Sequence, residues 1–391
     1  MTRARPVLVL ALLTALPAFA GNEEDVCADP GASSVFAMMP VAAETYQPTG
    51  PTYPEGVAIV GDRVIVSGPA NFGTAGNGSP SQLTVFDLDT GALRAVVPVV
   101  GEDLSQEHAL SELATRGHYA YAPSTQLGVL RWKFNGHHDS PTQESVSTPF
   151  CSVTGEYPCH DDSNACPDDV RAGLPPLPNG IAVASDGVVY VTDSLQGIVW
   201  RVDAHGGGPV EPEVLYCSAA LQGSGDSGLG LFGANGIAVA GDDLYVVVTF
   251  GAFDALGPTS TIYRLDREDP LTLELVYTYS GIAVAPGVVV PPIADGLRYD
   301  AETNHLLVVL GGQNAVSELD LGGAAVTEVA RYTRTDADTP FLNPSTIALG
   351  EGGTAYVSNH AITCCLDGDP NPACGCYGAE DYFGVIEICR E

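Results

Sequence analysis

Six segments of the chain open alike: PEGVAIVGDRVIVSG, EHALSELATRGHYAYA, PNGIAVASDGVVYVTD, ANGIAVAGDDLYVVVT, ADGLRYDAETNHLLVV and PSTIALGEGGTAYVSN. Each has a leading residue, a small residue, an apolar run, a turn and a second apolar run. The leading residues are Glu55, His108, Asn179, Asn235, Asp295 and Ser345, spaced 53, 71, 56, 60 and 50 residues apart. A repeat of this length holding only short strands is the signature of a β-propeller, one blade per repeat. The sequence therefore predicts an all-β, six-bladed β-propeller. The first strand of each blade lines the axis and all six run the same way. Their leading residues must converge at one mouth of the axial channel.

Further strands follow in register. QLTVFDLD, GVLRWKF, GIVWRVD, TIYRLD, AVSELDL and GVIEICR alternate or are rich in β-branched and aromatic residues, and read as third strands. ALRAVVPVV, EVLYCS, LELVYTYS and TEVARYT read as fourth, outer strands. The last repeat has none, and an orphan strand, SVFAMMPV, precedes the first. The economical solution is that the orphan completes the last blade and removes an open edge. That closure makes Cys27 and Cys389 neighbours and predicts a disulfide between them. Such a bridge closes nearly the whole chain, worth roughly 4–5 kcal/mol in the loop-entropy picture.

Residues 1–20 read as a secretory signal: Arg3 and Arg5, the apolar VLVLALLTAL, then Ala18-Phe19-Ala20 as a small-x-small cleavage site. The apolar run is too short to span a bilayer. Residues 21–391 are then one exported propeller domain, secreted or periplasmic. All ten Cys lie beyond the signal, an even number in an oxidising compartment, so disulfides are the default. A zinc cluster of Cys364, Cys365, Cys374 and Cys376 is the minor alternative, because the CxxC spacing is missing. Residues 137–172 and 361–382 are polar, Pro-rich and Cys-rich, and read as disulfide-pinned loop insertions. Asp367-x-Asp369-x-Asn371 begins like a calcium loop, but Pro372 stands where such loops need Gly, so it reads as a turn.

The 15 Lys and Arg against 48 Asp and Glu give a net charge of −33. That makes nucleic acid and anionic membrane poor partners. The plain reading of such a surface is solubility or adaptation to salt, and a cation-rich environment would also suit it. Glu55, Asn179, Asn235 and Asp295 supply two carboxylates and two amide carbonyls, an oxygen-only set appropriate to Ca²⁺, with another divalent ion as the alternative. Asn-Gly and Asp-Gly are also common turn dipeptides. What favours a metal is that four oxygen residues hold one register in four blades.

These segments resemble the calcium-dependent six-bladed propeller superfamily of gluconolactonase and regucalcin (senescence marker protein), related to paraoxonase, diisopropyl-fluorophosphatase and strictosidine synthase. LPNGIAVASDGVVYVTDS and ADGLRYDAETNHLLVV are most like gluconolactonase repeats; His108 and a bridge between the chain ends are more like paraoxonase. The resemblance implies that Glu55, Asn179, Asn235 and Asp295, from blades one, three, four and five, hold a catalytic calcium. It departs at Gly56 and Gly180, where paraoxonases place Asp for a second, structural ion.

The implied activity is hydrolysis of a small-molecule lactone or related ester; the oligomeric state is left open, with a monomer as the expectation. A base must activate water, and Asp295 and His108 are the candidates; the alternative for His108 is a channel-filling side chain. Ser345 lacks the elbow of a nucleophile. Asp193 and His360 follow second strands and are weak candidates for the pocket wall. The competing class is a non-catalytic, calcium-stabilised propeller that binds a ligand or protein partner.

Overall fold

The structure, a computed structural model, describes residues 32–39, 54–68, 79–136, 141–151, 166, 173–205, 208–225, 228–333, 341–360 and 384–390. Six antiparallel four-stranded sheets are arranged as the blades of a propeller. Blade one runs from the axis outward as Val57–Ile59, Arg63–Gly68, Gln82–Asp87 and Leu93–Pro98. Blade two is Ala114–Arg116, Tyr119–Ser124, Gly128–Lys133 and Thr142–Ser145. Blade three is Pro178–Val183, Val188–Asp193, Ile198–Asp203 and Glu213–Cys217. Blade four is Ala234–Ala240, Asp243–Val248, Ser260–Asp266 and Leu273–Tyr279. Blade five is Ala294–Asp300, His305–Leu310, Ala315–Asp320 and Thr327–Thr333. Blade six is Pro344–Leu349, Thr354–Asn359 and Gly384–Cys389, and its outer strand is Ser33–Met38 from the N-terminal end of the chain.

That last strand pairs antiparallel with Gly384–Cys389, Ser33 opposite Ile388 and Met38 opposite Gly384. The predicted closure of the ring is therefore present. Cys389 is disulfide-bonded; the predicted partner, Cys27, lies outside the described residues. So do the signal segment and residues 361–382.

Strand alternation explains why the blades stack. In blade three, Val189 and Val191 pack into a cluster shared with blade two, while Val188 and Tyr190 pack into one shared with blade four. Both faces of each sheet are buried, so the second strands read as continuous apolar runs. The described core divides into clusters of this kind at every blade interface, including that between blades six and one.

One expectation is corrected in part. Residues 137–172 are not wholly an insertion: Thr142–Ser145 is the outer strand of blade two, too short and polar to stand out from the loop around it. Beyond it, Cys166 is bonded to Cys217 on the outer strand of blade three, and Cys151 is also disulfide-bonded. Two small hairpins, Phe253–Asp254 with Gly257–Pro258 and Ile282–Ala285 with Val288–Val290, lie outside the blades. No helix among the described residues is long and apolar enough to cross a membrane.

Candidate metal centre

Four of the leading residues are released from their ladders by bulges. Pro178 pairs with Asp193, Ala234 with Val248, Ala294 with Leu310 and Pro344 with Asn359. In all four blades the register slips before the next pair, at Ile181, Ile237, Leu297 and Ile347. A bulge re-aims the side chain that it frees from pairing. Here those residues are Asn179, Asn235, Asp295 and Ser345. Glu55 holds the same place in blade one, its N–H donating to the Ser67 carbonyl (2.9 Å).

In blade two that place belongs to Ser111, not His108. Leu110 bridges to Ser124, and the Ser111 N–H donates to the Pro123 carbonyl (3.2 Å). His108 lies three residues earlier and is fully buried. Its Nδ1 is 3.0 Å from the Gln106 carbonyl and its Nε2 2.8 Å from that of Ser79. The structure brings the other leading residues into one ring and leaves His108 among backbone carbonyls beside it.

The glycines that follow the leading residues are not turn residues. A Cβ on Gly180 would stand 2.2 Å from the Asn235 carbonyl oxygen, on Gly236 2.4 Å from that of Asp295, and on Gly296 2.7 Å from that of Ser345. Their absence of a side chain lets neighbouring inner strands approach closely at the axis. Hydroxyls tie the same strands together. Ser345 Oγ donates to the Glu55 carbonyl (2.7 Å) and Ser111 Oγ to that of Pro178 (3.0 Å).

The amides are oriented by residues just after the second strands. Asn179 Nδ2 donates to Ser194 Oγ (3.1 Å), and Asn235 Nδ2 to Thr249 Oγ1 (3.0 Å). Ser194 spends its own proton on the Ala234 carbonyl (2.7 Å), so it can only accept from Asn179. That fixes which end of the Asn179 amide is nitrogen and leaves its carbonyl oxygen for a ligand. His360 occupies the corresponding place in blade six, and its Nδ1 is 3.4 Å from Glu55 Oε2. Asp193, by contrast, accepts from the backbone of Leu195 and Gln196 and from Gln196 Nε2, and is a turn organiser.

The electrostatics are those of crowded acids. Burial pushes the Glu55 carboxyl well above its ordinary range, and Asp295 and Glu112 push it further. Burial and then Glu112 push Asp295 up to about 8, against a hydrogen bond from the Asn235 side chain. Burial also holds His360 down at about 3, so its imidazole is neutral and brings Glu55 no positive charge. Glu55 Oε2 is buried and has no hydrogen-bond partner among the described residues. Buried carboxylates without a counter-charge are costly. A hard divalent cation is the partner this donor set fits: two carboxylates and two amide carbonyls, all oxygen. Among the described residues no three His, Cys, Asp or Glu side chains form a metal-ligand cluster. The ring contains two such residues, Glu55 and Asp295, and its other two donors are amides.

Two charged residues escaped the sequence reading. Glu112, in blade two, is buried and accepts from Arg298 Nη1 (2.6 Å) and from the Ile181 N–H of blade three (3.1 Å). Arg298, on the inner strand of blade five, also donates to the Leu297 carbonyl (2.9 Å) and from Nη2 to that of Leu113. Blades two and five are opposite in a ring of six, so this pair crosses the axis. The signal was available, because both residues break the inner-strand repeat.

No protein-family model matches the sequence, and no curated protein does. Solved structures do match in fold. A virginiamycin B lyase from Staphylococcus aureus is 13% identical over 80% of each chain, with a TM-score of 0.42. A PQQ-bound aldose sugar dehydrogenase from Streptomyces coelicolor is 15% identical, over 92% of this chain and 99% of that one, with a TM-score of 0.49. A chain of a nidogen/laminin complex is 13% identical, over 72% of this chain and 83% of that one, with a TM-score of 0.43. At this level of likeness neither ligand nor reaction passes from these proteins to this chain. The case for a gluconolactonase-like protein rests on the residues quoted above.

Proposed function

We propose that this protein is an exported, calcium-dependent hydrolase of lactones or related esters. The observation that carries the metal is the pair of carboxylates, Glu55 buried and Asp295 half-buried, with one Glu55 oxygen left without a hydrogen-bond partner among the described residues. Glu55, Asn179, Asn235 and Asp295 would hold the ion. When bound, calcium supplies a Lewis acid for a carbonyl oxygen and offsets the charge of both carboxylates. The reaction class is supported by the blade order Glu, Asn, Asn, Asp and its resemblance to the gluconolactonase superfamily. Export is supported by the Cys166–Cys217 disulfide and by disulfide-bonded Cys151 and Cys389, since such bonds persist outside the cytosol.

Asp295 takes the role of base in this reading. It stands in the ring with Glu55, Asn179 and Asn235, where His108 does not. A base must lie within hydrogen-bond reach of the water it activates, and both His108 ring nitrogens face backbone carbonyls instead. Asn179 and Asn235, fixed by Ser194 and Thr249, hold the ring's shape while the proton moves.

The test is turnover of lactones, aryl esters and phosphotriesters, with and without a chelator, on disulfide-intact protein. The reading expects chelator-sensitive hydrolysis that Asp295→Asn lowers by roughly a hundredfold or more and His108→Gln leaves largely in place. No turnover of any of the three classes by calcium-loaded protein would overturn it in favour of a binding propeller.

A further inference from the structure

The inner strands share a four-residue pattern that begins at the leading residue. The second position is Gly56, Gly180, Gly236 and Gly296, with Thr346 in blade six. The third is aliphatic throughout: Val57, Leu113, Ile181, Ile237, Leu297 and Ile347. The fourth is alanine in every blade but one: Ala58, Ala114, Ala182, Ala238 and Ala348. Charge enters this pattern beyond the leading position twice, as Glu112 at the second position of blade two and Arg298 at the fourth of blade five. These two exceptions bind each other across the axis at 2.6 Å.

We infer that Glu112 and Arg298 form a charge-neutral strut across the channel beneath the metal ring, which fixes the Asp295 strand and adds no net charge to the site. This rests on the metal reading above. Arg298 lies three residues along the inner strand from Asp295, so anchoring it to Glu112 and to the Leu113 carbonyl tethers that ligand strand to the opposite blade. A guanidinium is permanently charged and on its own repels a cation held above it. Glu112 cancels that charge, and both its oxygens are occupied, Oε1 by Arg298 and Oε2 by the Ile181 N–H. Glu112 therefore acts through the pair and not as a ligand, and both members are positioning residues. With the strut neutral, the ring keeps the two negative charges of Glu55 and Asp295, which match one divalent ion.

A double variant separates the effect of charge from that of packing. Glu112→Gln leaves the guanidinium uncompensated beneath the ring, and calcium affinity measured by titration calorimetry is expected to fall by roughly tenfold or more. Adding Arg298→Met removes the stray charge, and the double variant is expected to bind calcium at least about threefold tighter than the single, although its melting temperature stays below that of the wild type. Arg298→Lys keeps the charge but gives up the planar fork that reaches both Glu112 and the Leu113 carbonyl, so it is expected to bind calcium roughly three- to tenfold more weakly than wild type; it also carries the test if Glu112→Gln does not fold. Wild-type affinity in Glu112→Gln, a double variant that binds no better than the single, or wild-type affinity in Arg298→Lys would each overturn the strut. Wild-type protein that takes up no calcium would instead overturn the metal reading on which it rests.

Discussion

Removing the metal should make this protein less stable as pH rises, which is the reverse of what paired carboxylates do. Asp295 has a folded-state pKa of about 8 against an ordinary value of 3.8, and Glu55 is raised in the same direction. Between those pH values the metal-free native state binds protons that the unfolded state has released. Stability therefore falls as pH rises through this window and is fully present only below the ordinary carboxylate range. A tenfold difference in proton affinity between the folded and unfolded states is worth about 1.4 kcal/mol, so Asp295 contributes at most about 6 kcal/mol. Partial exposure lets water relax the charge, leaving a few kcal/mol, or roughly 3–5 °C in melting temperature for a chain of this size. The assay is thermal unfolding in chelator from pH 5 to pH 8, with Asp295→Asn beside the wild type. The wild type should lose melting temperature across that range, and the variant, whose amide does not titrate, should lose much less. Saturating calcium should invert the trend, because protons compete with the ion at pH 5 and no longer do at pH 8. A chelated wild type whose melting temperature is flat or rises with pH, or an equal fall in Asp295→Asn, would refute the reasoning.

Ser194→Ala removes the acceptor that orients Asn179 and should weaken calcium binding roughly tenfold in calorimetry, as loss of a ligand's outer partner commonly does. Gly236→Ala drives a methyl group against the Asp295 carbonyl and should cost about 1–3 kcal/mol of stability by thermal or denaturant unfolding, with weaker calcium binding alongside. Peptide mass mapping of non-reduced protein should find Cys389 joined to Cys27; Cys389 bonded to a cysteine of 361–382 would contradict the predicted seam.

The fold was legible because its signal repeats. Six apolar double runs at propeller spacing outweighed the ambiguity of any one of them, and the orphan N-terminal strand had only one open edge to fill. The outer strand of blade two was not legible, since TQES carries neither alternation nor an apolar side chain. The ring was legible in five blades, where a small residue follows the leading one. It failed in blade two because Glu112 stands where glycine or a small residue usually does, and His108 offered a more chemical side chain three residues away. The strut was missed for a related reason: a glutamate and an arginine 186 positions apart carry no local pattern, and only aligning the inner strands on their bulges exposes both as exceptions. The role of the residues just after the second strands, Ser194, Thr249 and His360, was equally hidden, because hydroxyl and imidazole side chains there carry no periodic signal.

Calcium titration by calorimetry on chelator-stripped protein, with wild type, Glu55→Gln and Asp295→Asn compared at pH 8, decides between a metal centre and a packing device. We predict one calcium per chain in the wild type and a loss of affinity of at least about a hundredfold in each variant, since each removes one of the two charges that balance the ion. Calcium affinity unchanged in both variants, or no uptake by the wild type, would contradict the metal centre and leave the ring as a means of packing six inner strands around an axis.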